Sequence, residues 1–576
     1  MKKILYNIIC ASMMLGGLSS CADFLEIEPQ NEILFENFWN EKADVDGIVA
    51  GIYSGMQSDS ILTRAIIWGE GRSENVVAGV GIEHDINLEN VLKENLKANN
   101  GYTYWGDFYN IINRCNTVIK YAPMVADRDI SYTESELRAT IAEVTAIREL
   151  CYFYLIRAFR DVPYSEEAYT DDDQVMDLPA TGFNTILDRL IANLENIKGD
   201  AVKKYPVTKP EYQTGRVTQD FIHALLCEMY LWKKDYASCI QYADLVIDSK
   251  IAAKEEKDKE NGGGMQQQQA NDFLKGYPLT KEFTRQGSLY GSAYSTIFGT
   301  GNSDESIFEL TFVKDNDNML SNGAVSLLYG NAKNMTGRLK PSTLLADDVK
   351  SSLFGVFDNK FDARSYEAMN FSASSINKFV SRSVSIDDPS ATSMSVIYGS
   401  IYPEGKVKSN WIVYRLTDIM LMKAEALVQT VVDGDENATA TLQEAFDLVD
   451  VVNKRSMCCD VTAEANKDYI LSYSDYNSKL LMNELILKER HREFMFEGKR
   501  WFDLVRWSQR DGNTDVLRQN ALRKYTTNSS VISNKLSKMD AIYWPYNRDE
   551  LKVNRNLKQN PAYGSGDEEG SYEKTN

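Results

Sequence analysis

The sequence predicts a mostly α-helical protein, a tetratricopeptide-like helical-repeat scaffold with long functional loops and a few short strands. Three observations point there. Apolar residues recur at spacings of three, four and seven through most of the chain, as in Leu137, Ile141, Val144, Cys151, Leu155 and Phe159. Residues 219–249 read as a helix pair whose small contact residues, Cys227 and Cys239, lie one repeat-contact apart in sequence. Strand signals are few: Ser306 to Phe312 alternates, and Ile542-Tyr543-Trp544 is a second candidate.

Taken in order, the chain opens on Lys2 and Lys3 followed by a mostly apolar run to Leu18. That run is too short and too close to the terminus for a membrane span. It closes on Leu18-Ser19-Ser20-Cys21, a small-residue cleavage site with a cysteine first after it. Residues 1–20 therefore read as a signal peptide, Cys21 as a lipidation site and 21–36 as an acidic tether; the competing reading is an ordinary secretory peptide with a chance cysteine. Several acyl chains on one residue anchor a protein durably, at about 0.8 kcal/mol per buried methylene. Residues 37–576 read as one domain.

Within it, helical stripes run through 102–122, 137–159, 183–197, 217–233, 235–249, 413–431, 440–456 and 480–507. Helix-pair repeats are expected over about 102–249 and 411–507, with Ala424 and Ala445 as the small contacts of the later pair. The stretches 60–100, 270–300, 314–410 and 509–560 read as long loops, and 270–410 as the loop-rich ligand region. Residues 252–270 form a low-complexity insertion ending in GGGMQQQQ.

The formal net charge is −20, and removal of residues 1–20 takes away two lysines and no carboxylate, leaving about −22. A nucleic-acid binder needs a basic footprint, so that class is excluded. Cys115, Cys151, Cys227 and Cys239 sit among apolar helical neighbours, where a free thiol behaves as a small hydrophobe. The absence of a CxxC pair argues against zinc. Asp315-Asn316-Asp317-Asn318 and Asp433-Gly434-Asp435-Glu436 carry oxygen ligands suited to calcium, yet neither fits an EF-hand register. No cofactor is expected.

Glu489, Glu493 and Glu497 recur every four residues near His491 and are interleaved with Lys488, Arg490, Arg492, Lys499 and Arg500. A glycosidase needs two carboxylates across a cleft; this spacing instead describes one helix face laced with ion pairs. Trp501, Phe502 and Trp507 read as core. The expectation is a binding protein and not an enzyme.

The segments 141–164, 411–430, 484–507 and 543–563, behind the cysteine at residue 21, together resemble the SusD/RagB family of Bacteroidetes surface lipoproteins. Residues 141–164, IAEVTAIRELCYFYLIRAFRDVPY, resemble the family's helix and G-D-V-P turn, with Arg160 where glycine is usual. Residues 411–430, WIVYRLTDIMLMKAEALVQT, and 484–507, ELILKERHREFMFEGKRWFDLVRW, resemble its later helices. Residues 543–563, YWPYNRDELKVNRNLKQNPAY, resemble its closing motif, and Asn37-Phe38-Trp39 and Gly51-Ile52-Tyr53 its early elements. The resemblance implies a SusD-like fold and an outer-membrane lipoprotein facing the cell exterior. Its expected partner is a SusC-like TonB-dependent transporter, its ligand an oligosaccharide, and its only membrane contact the lipid anchor. Peptide or glycoprotein-glycan capture is the alternative within the family, and a protein-binding repeat adaptor the alternative outside it.

Sugars present apolar C–H faces and a rim of hydroxyls, so exposed aromatic rings beside polar side chains are the signature sought. The loop candidates are Trp68 with Arg72 and Asn75, then Tyr290, Tyr294 and Phe298, then Tyr329. Each ring has a competing reading as scaffold packing, and the four-residue spacing of Tyr290, Tyr294 and Phe298 fits one helical face equally well.

Overall fold

A computed structural model describes residues 38–171, 173–260, 273–282, 290–312, 321–330, 337–346, 356–370, 374–387, 395–402, 406–432 and 436–564. The signal peptide, Cys21 and the tether lie outside these residues, as do Asp315–Asn318 and all of Asp433–Glu436 except Glu436.

The amino-terminal part places α1 (Lys42–Met56) and α2 (Asp59–Ile66) ahead of a π-helical turn, Ile67–Gly71, and α3 (Ile86–Leu92). Then come α4 (Gly106–Arg128), α5 (Glu134–Phe159), α6 (Phe183–Ile197), α7 (Gln219–Lys233) and α8 (Tyr236–Glu260). Thr133 and Glu136 close a reciprocal capping box at the start of α5, and Thr218 caps α7 by accepting from Phe221 N at 3.3 Å. Successive pairs α4–α5 and α7–α8 pack side by side. At the α7–α8 contact the Cys227 and Cys239 Sγ atoms lie 3.7 Å apart as buried free thiols.

The second helical unit holds α9 (Gly323–Tyr329), α10 (Leu416–Thr430), α11 (Ala438–Arg455), α12 (Lys479–Phe494), α13 (Arg500–Asp511), α14 (Asp515–Leu522) and α15 (Ser529–Leu536). Ala424 and Ala445 are fully buried on α10 and α11, which pack together as the predicted pair. Helix α10 also packs on α7 and α8, so one continuous core joins both repeat regions.

The strands form short antiparallel pairs. Ser306–Leu310 is a strand as expected, paired with Trp411–Arg415. Every residue of both is buried. Val76–Ala78 pairs with Leu339–Pro341.

Four expectations are corrected. The stripe 480–507 is two helices, broken where Phe496 and Gly498 take φ of 64° and 69°. The break brings backbone against backbone: a Cβ on Gly69 would stand 1.8 Å from Gly498 O. Ile542-Tyr543-Trp544 is no strand; Met539–Ile542 is a 3₁₀ turn, and Trp544 N donates to Ala158 O at 2.9 Å. The stretches 60–100 and 509–560 are not loops but hold α2, the π turn and α3 in the first and α14, α15 and Arg548–Val553 in the second. Residues 252–260 of the presumed insertion continue α8.

Candidate functional site

The aromatic platform predicted from the loops is not at the surface. Trp68, Arg72, Asn75, Tyr294, Phe298 and Tyr329 are all buried, and Tyr290 is half-buried. The reason is that each polar tip finds an internal partner, which lets the ring bury its apolar area. Tyr294 Oη donates to Asn377 O at 3.0 Å and Tyr329 Oη to Phe496 O at 2.8 Å. Arg72 pairs bidentately with Glu94 at 2.9 Å, donates to Ala541 O and Ile542 O, and lies 4.4 Å from the Trp501 ring. Asn75 donates to Glu70 Oε1 at 2.6 Å and meets His491 Nε2 through its own oxygen. Phe298 lies edge-on to Phe379 under the Lys378 ammonium.

Trp68 nevertheless leads to an exposed site. Its ring stacks on Phe108 at 4.9 Å, and its Nε1 donates to Tyr102 O at 2.9 Å. Tyr102 belongs to a 3₁₀ turn, Gly101–Thr103, capped by Asn100 Oδ1, which accepts from Tyr102 N at 2.9 Å. Asn87 Oδ1 accepts from Gly101 N at 3.1 Å. The turn carries Tyr104 outward, 43% exposed, immediately before buried Trp105.

Charged groups flank this ring. The Arg64 guanidinium lies 5.5 Å from the Tyr104 centroid and is fixed by Ser60 O at 2.9 Å and Asp107 Oδ2 at 3.1 Å. Burial lowers the Arg64 pKa, against the pull of Asp107. Tyr102 Oη donates to Asp85 Oδ2 at 2.5 Å, where Arg338 also pairs, while Asp85 Oδ1 caps α3 by accepting from Leu88 N. Burial and then the Asp85 carboxylate push the Tyr102 phenol up, so it stays a donor. One half-open ring, a second half-buried phenol and paired arginine–aspartate groups thus share a face built on α2, α3 and the start of α4. This face suits a ligand with apolar patches and hydroxyls. Tyr102 and Tyr104 were hidden in the helical stripe 102–122; the available signal was the bracketing of Tyr-Thr-Tyr-Trp by Asn100-Gly101 and Gly106.

The acidic residues of α12 and of the turn after it, where Glu497 lies, are structural but do not form one helix face of local ion pairs. Glu489, Glu493 and Glu497 are buried and held mostly by distant cations. Arg364 reaches Glu489 at 2.7 Å and Glu493 at 2.8 Å; Arg415 reaches Glu493 at 2.5 Å and Glu497 at 2.8 Å; Arg455 and Lys378 complete the cluster. Glu493, Arg364, Arg415, Arg455 and Lys378 line a narrow crevice. Burial alone would raise the Glu493 pKa, but Arg455, Arg415 and Arg364 hold it well below the usual carboxylate range. A general acid needs the opposite shift. Among the described residues no group of three His, Cys, Asp or Glu side chains is placed to hold a metal, and no helix is long and apolar enough to cross a membrane.

Comparison with known proteins identifies the architecture. Residues 356–563 match the profile of the SusD family. SusD-like protein P38 of Formosa agariphila is 24% identical over 515 residues, covering 85% of this chain and 89% of that one. SusD-like protein P25 of the same organism is 23% identical over 589 residues, covering 97% and 99%. The crystal structure of a SusD superfamily protein from Bacteroides vulgatus superposes with a TM-score of 0.63 at 16% identity, over 91% of this chain and 100% of that one. The carboxy-terminal part of the chain thus matches the SusD family, and the chain as a whole is similar in sequence to SusD-like proteins and shares the fold of a SusD superfamily protein.

Proposed function

We propose that this protein is a surface glycan-binding lipoprotein, anchored to the outer membrane through Cys21, that captures oligosaccharide for a partner TonB-dependent transporter of the SusC type. The match of residues 356–563 to the SusD family and the similarity to SusD-like proteins support a role in glycan binding and nutrient uptake. The observation that carries the binding reading is the open Tyr104 ring flanked by the Arg64–Asp107 pair. A sugar's C–H face stacks on such a ring while its hydroxyls meet the rim, and the tyrosine body is rigid and amphipathic enough for both. An anchored binder next to a transporter raises local ligand concentration without tight affinity.

The experiment is a glycan array on the purified chain, followed by calorimetry with any hit on Tyr104→Ala and Arg64→Ala. Both variants are expected to bind at least several-fold more weakly with melting temperatures near the parent's. Parent-like binding in both would overturn this site, and a response to peptides without any glycan hit would favour the peptide-capturing alternative. Co-purification of a transporter with the full lipoprotein, lost in Cys21→Ala, tests the anchored partnership.

A further inference from the structure

Gly106 is the first residue of α4, yet nothing in its backbone calls for glycine: its φ is not in the left-handed region. What occupies its missing side-chain space is the Tyr104 ring. A Cβ at residue 106 would stand 2.3 Å from Tyr104 Oη, 2.5 Å from Cζ and 3.0 Å from Cε1, and these are its three nearest heavy atoms. The geometry points to Gly106 as the positioning residue of the ligand face: it leaves the notch in which Tyr104 lies, so the ring is set in place before any ligand arrives.

The counterpart on the other flank is Arg64, itself tied to Ser60 O, Gly101 O and Asp107. Tyr104 is thus held by a backbone notch and a fixed guanidinium, although it is the most exposed aromatic of its turn. Because the colliding atoms would be the far end of an exposed side chain, an added methyl displaces the ring and leaves the core untouched. A ring that must be ordered on binding gives up about 0.5–1.5 kcal/mol, which is a loss of roughly 2- to 13-fold in affinity.

This inference rests on the proposed glycan face only for its consequence; the ring position itself is read without a ligand. 3-Fluorotyrosine is placed at residue 104 of the full chain, and its fluorine resonance is recorded in the parent and in Gly106→Ala. Gly106→Ser serves as a second variant that adds the same Cβ in the first helical turn. The expected result is a parent resonance displaced from that of free fluorotyrosine, which moves toward the free value in both variants with the melting temperature unchanged or higher. A resonance that stays put in both variants, or a parent resonance already at the free value, overturns the inference. Binding is then read with maltoheptaose, xylohexaose and chitohexaose. If Tyr104→Ala lowers binding and Gly106→Ala does not, positioning is overturned while the face stands. If Tyr104→Ala binds like the parent, the face is overturned whatever the fluorine spectra show.

Discussion

Trp68 and Tyr104 divide between them what a single aromatic residue was expected to do. Trp68 is sealed under Phe108 and Phe159 and has its indole N–H satisfied by Tyr102 O; Tyr104 stays open above it. Trp68→Ala is therefore expected to destabilise the protein by about 3–5 kcal/mol, as deletion of a buried aromatic does. Tyr104→Ala should shift the denaturation midpoint by less than about 0.5 kcal/mol equivalent, the usual range for a surface change. Equal losses for the two in chemical denaturation would contradict this assignment. The sequence shows that both rings sit near turns, but exposure is a tertiary property. Trp68 is buried because α4 and α5 bring Phe108 and Phe159 across it, and no local pattern in residues 68–75 encodes that approach.

At the scale of elements, what was legible is what depends on helical period. Helix α6 runs Phe183–Ile197 along its predicted stripe, and the Cys227–Cys239 and Ala424–Ala445 contacts lie where a repeat pair requires small residues. Replacing Cys227 and Cys239 together by alanine should cost little under non-reducing conditions, since alanine meets the same size limit; a large drop in melting temperature would show that the pair is bonded. Less legible was α12, whose charged face reads as laced with local ion pairs when only the spacing is seen. Its partners Arg364, Arg415 and Arg455 come from far along the chain. Glu493→Ala leaves those guanidiniums short of a buried counter-charge and should cost about 3–5 kcal/mol, as for one partner of a buried pair. Glu493 has a folded pKa below its unfolded value, so its contribution is present above about pH 4.5 and is lost as pH falls through the folded pKa. The acid limb of the stability curve should accordingly flatten in Glu493→Gln.

Over the whole molecule the acid response has two opposing parts. Glu74, beside Arg500 and His491, has its pKa drawn down to about 2 in spite of burial, and so stabilises the fold above the unfolded carboxylate value and loses that effect as pH falls toward about 2. Glu70 behaves in reverse. Burial lifts it to about 7, and its Oε2 has no hydrogen-bond partner among the described residues. A carboxyl that holds its proton more tightly when folded stabilises at low pH, and this is lost as pH rises from about 4.5 through 7. Glu70→Gln keeps an oxygen for Asn75 and Phe496 N and removes the ionisation, so it should stabilise the protein more at pH 8 than at pH 5, by on the order of 2–3 kcal/mol. A gain that is equal at both values would contradict the assigned protonation. The scaffold thus rests on a buried charged interior whose pairs no single-segment pattern displays, while its helix pairs and its resemblance to SusD-like proteins stand in plain sequence.

The central claim is that oligosaccharide binds on the Tyr102–Tyr104 face and not on the loop residues first picked out. The structure of the protein with a bound oligosaccharide from the array tests this most directly. The account predicts a sugar ring against Tyr104, with hydroxyls toward Asp107, Asn87 or Arg338, and no movement of Trp68. Sugar density over Tyr290 or elsewhere on the scaffold, with Tyr104 bare, would contradict it.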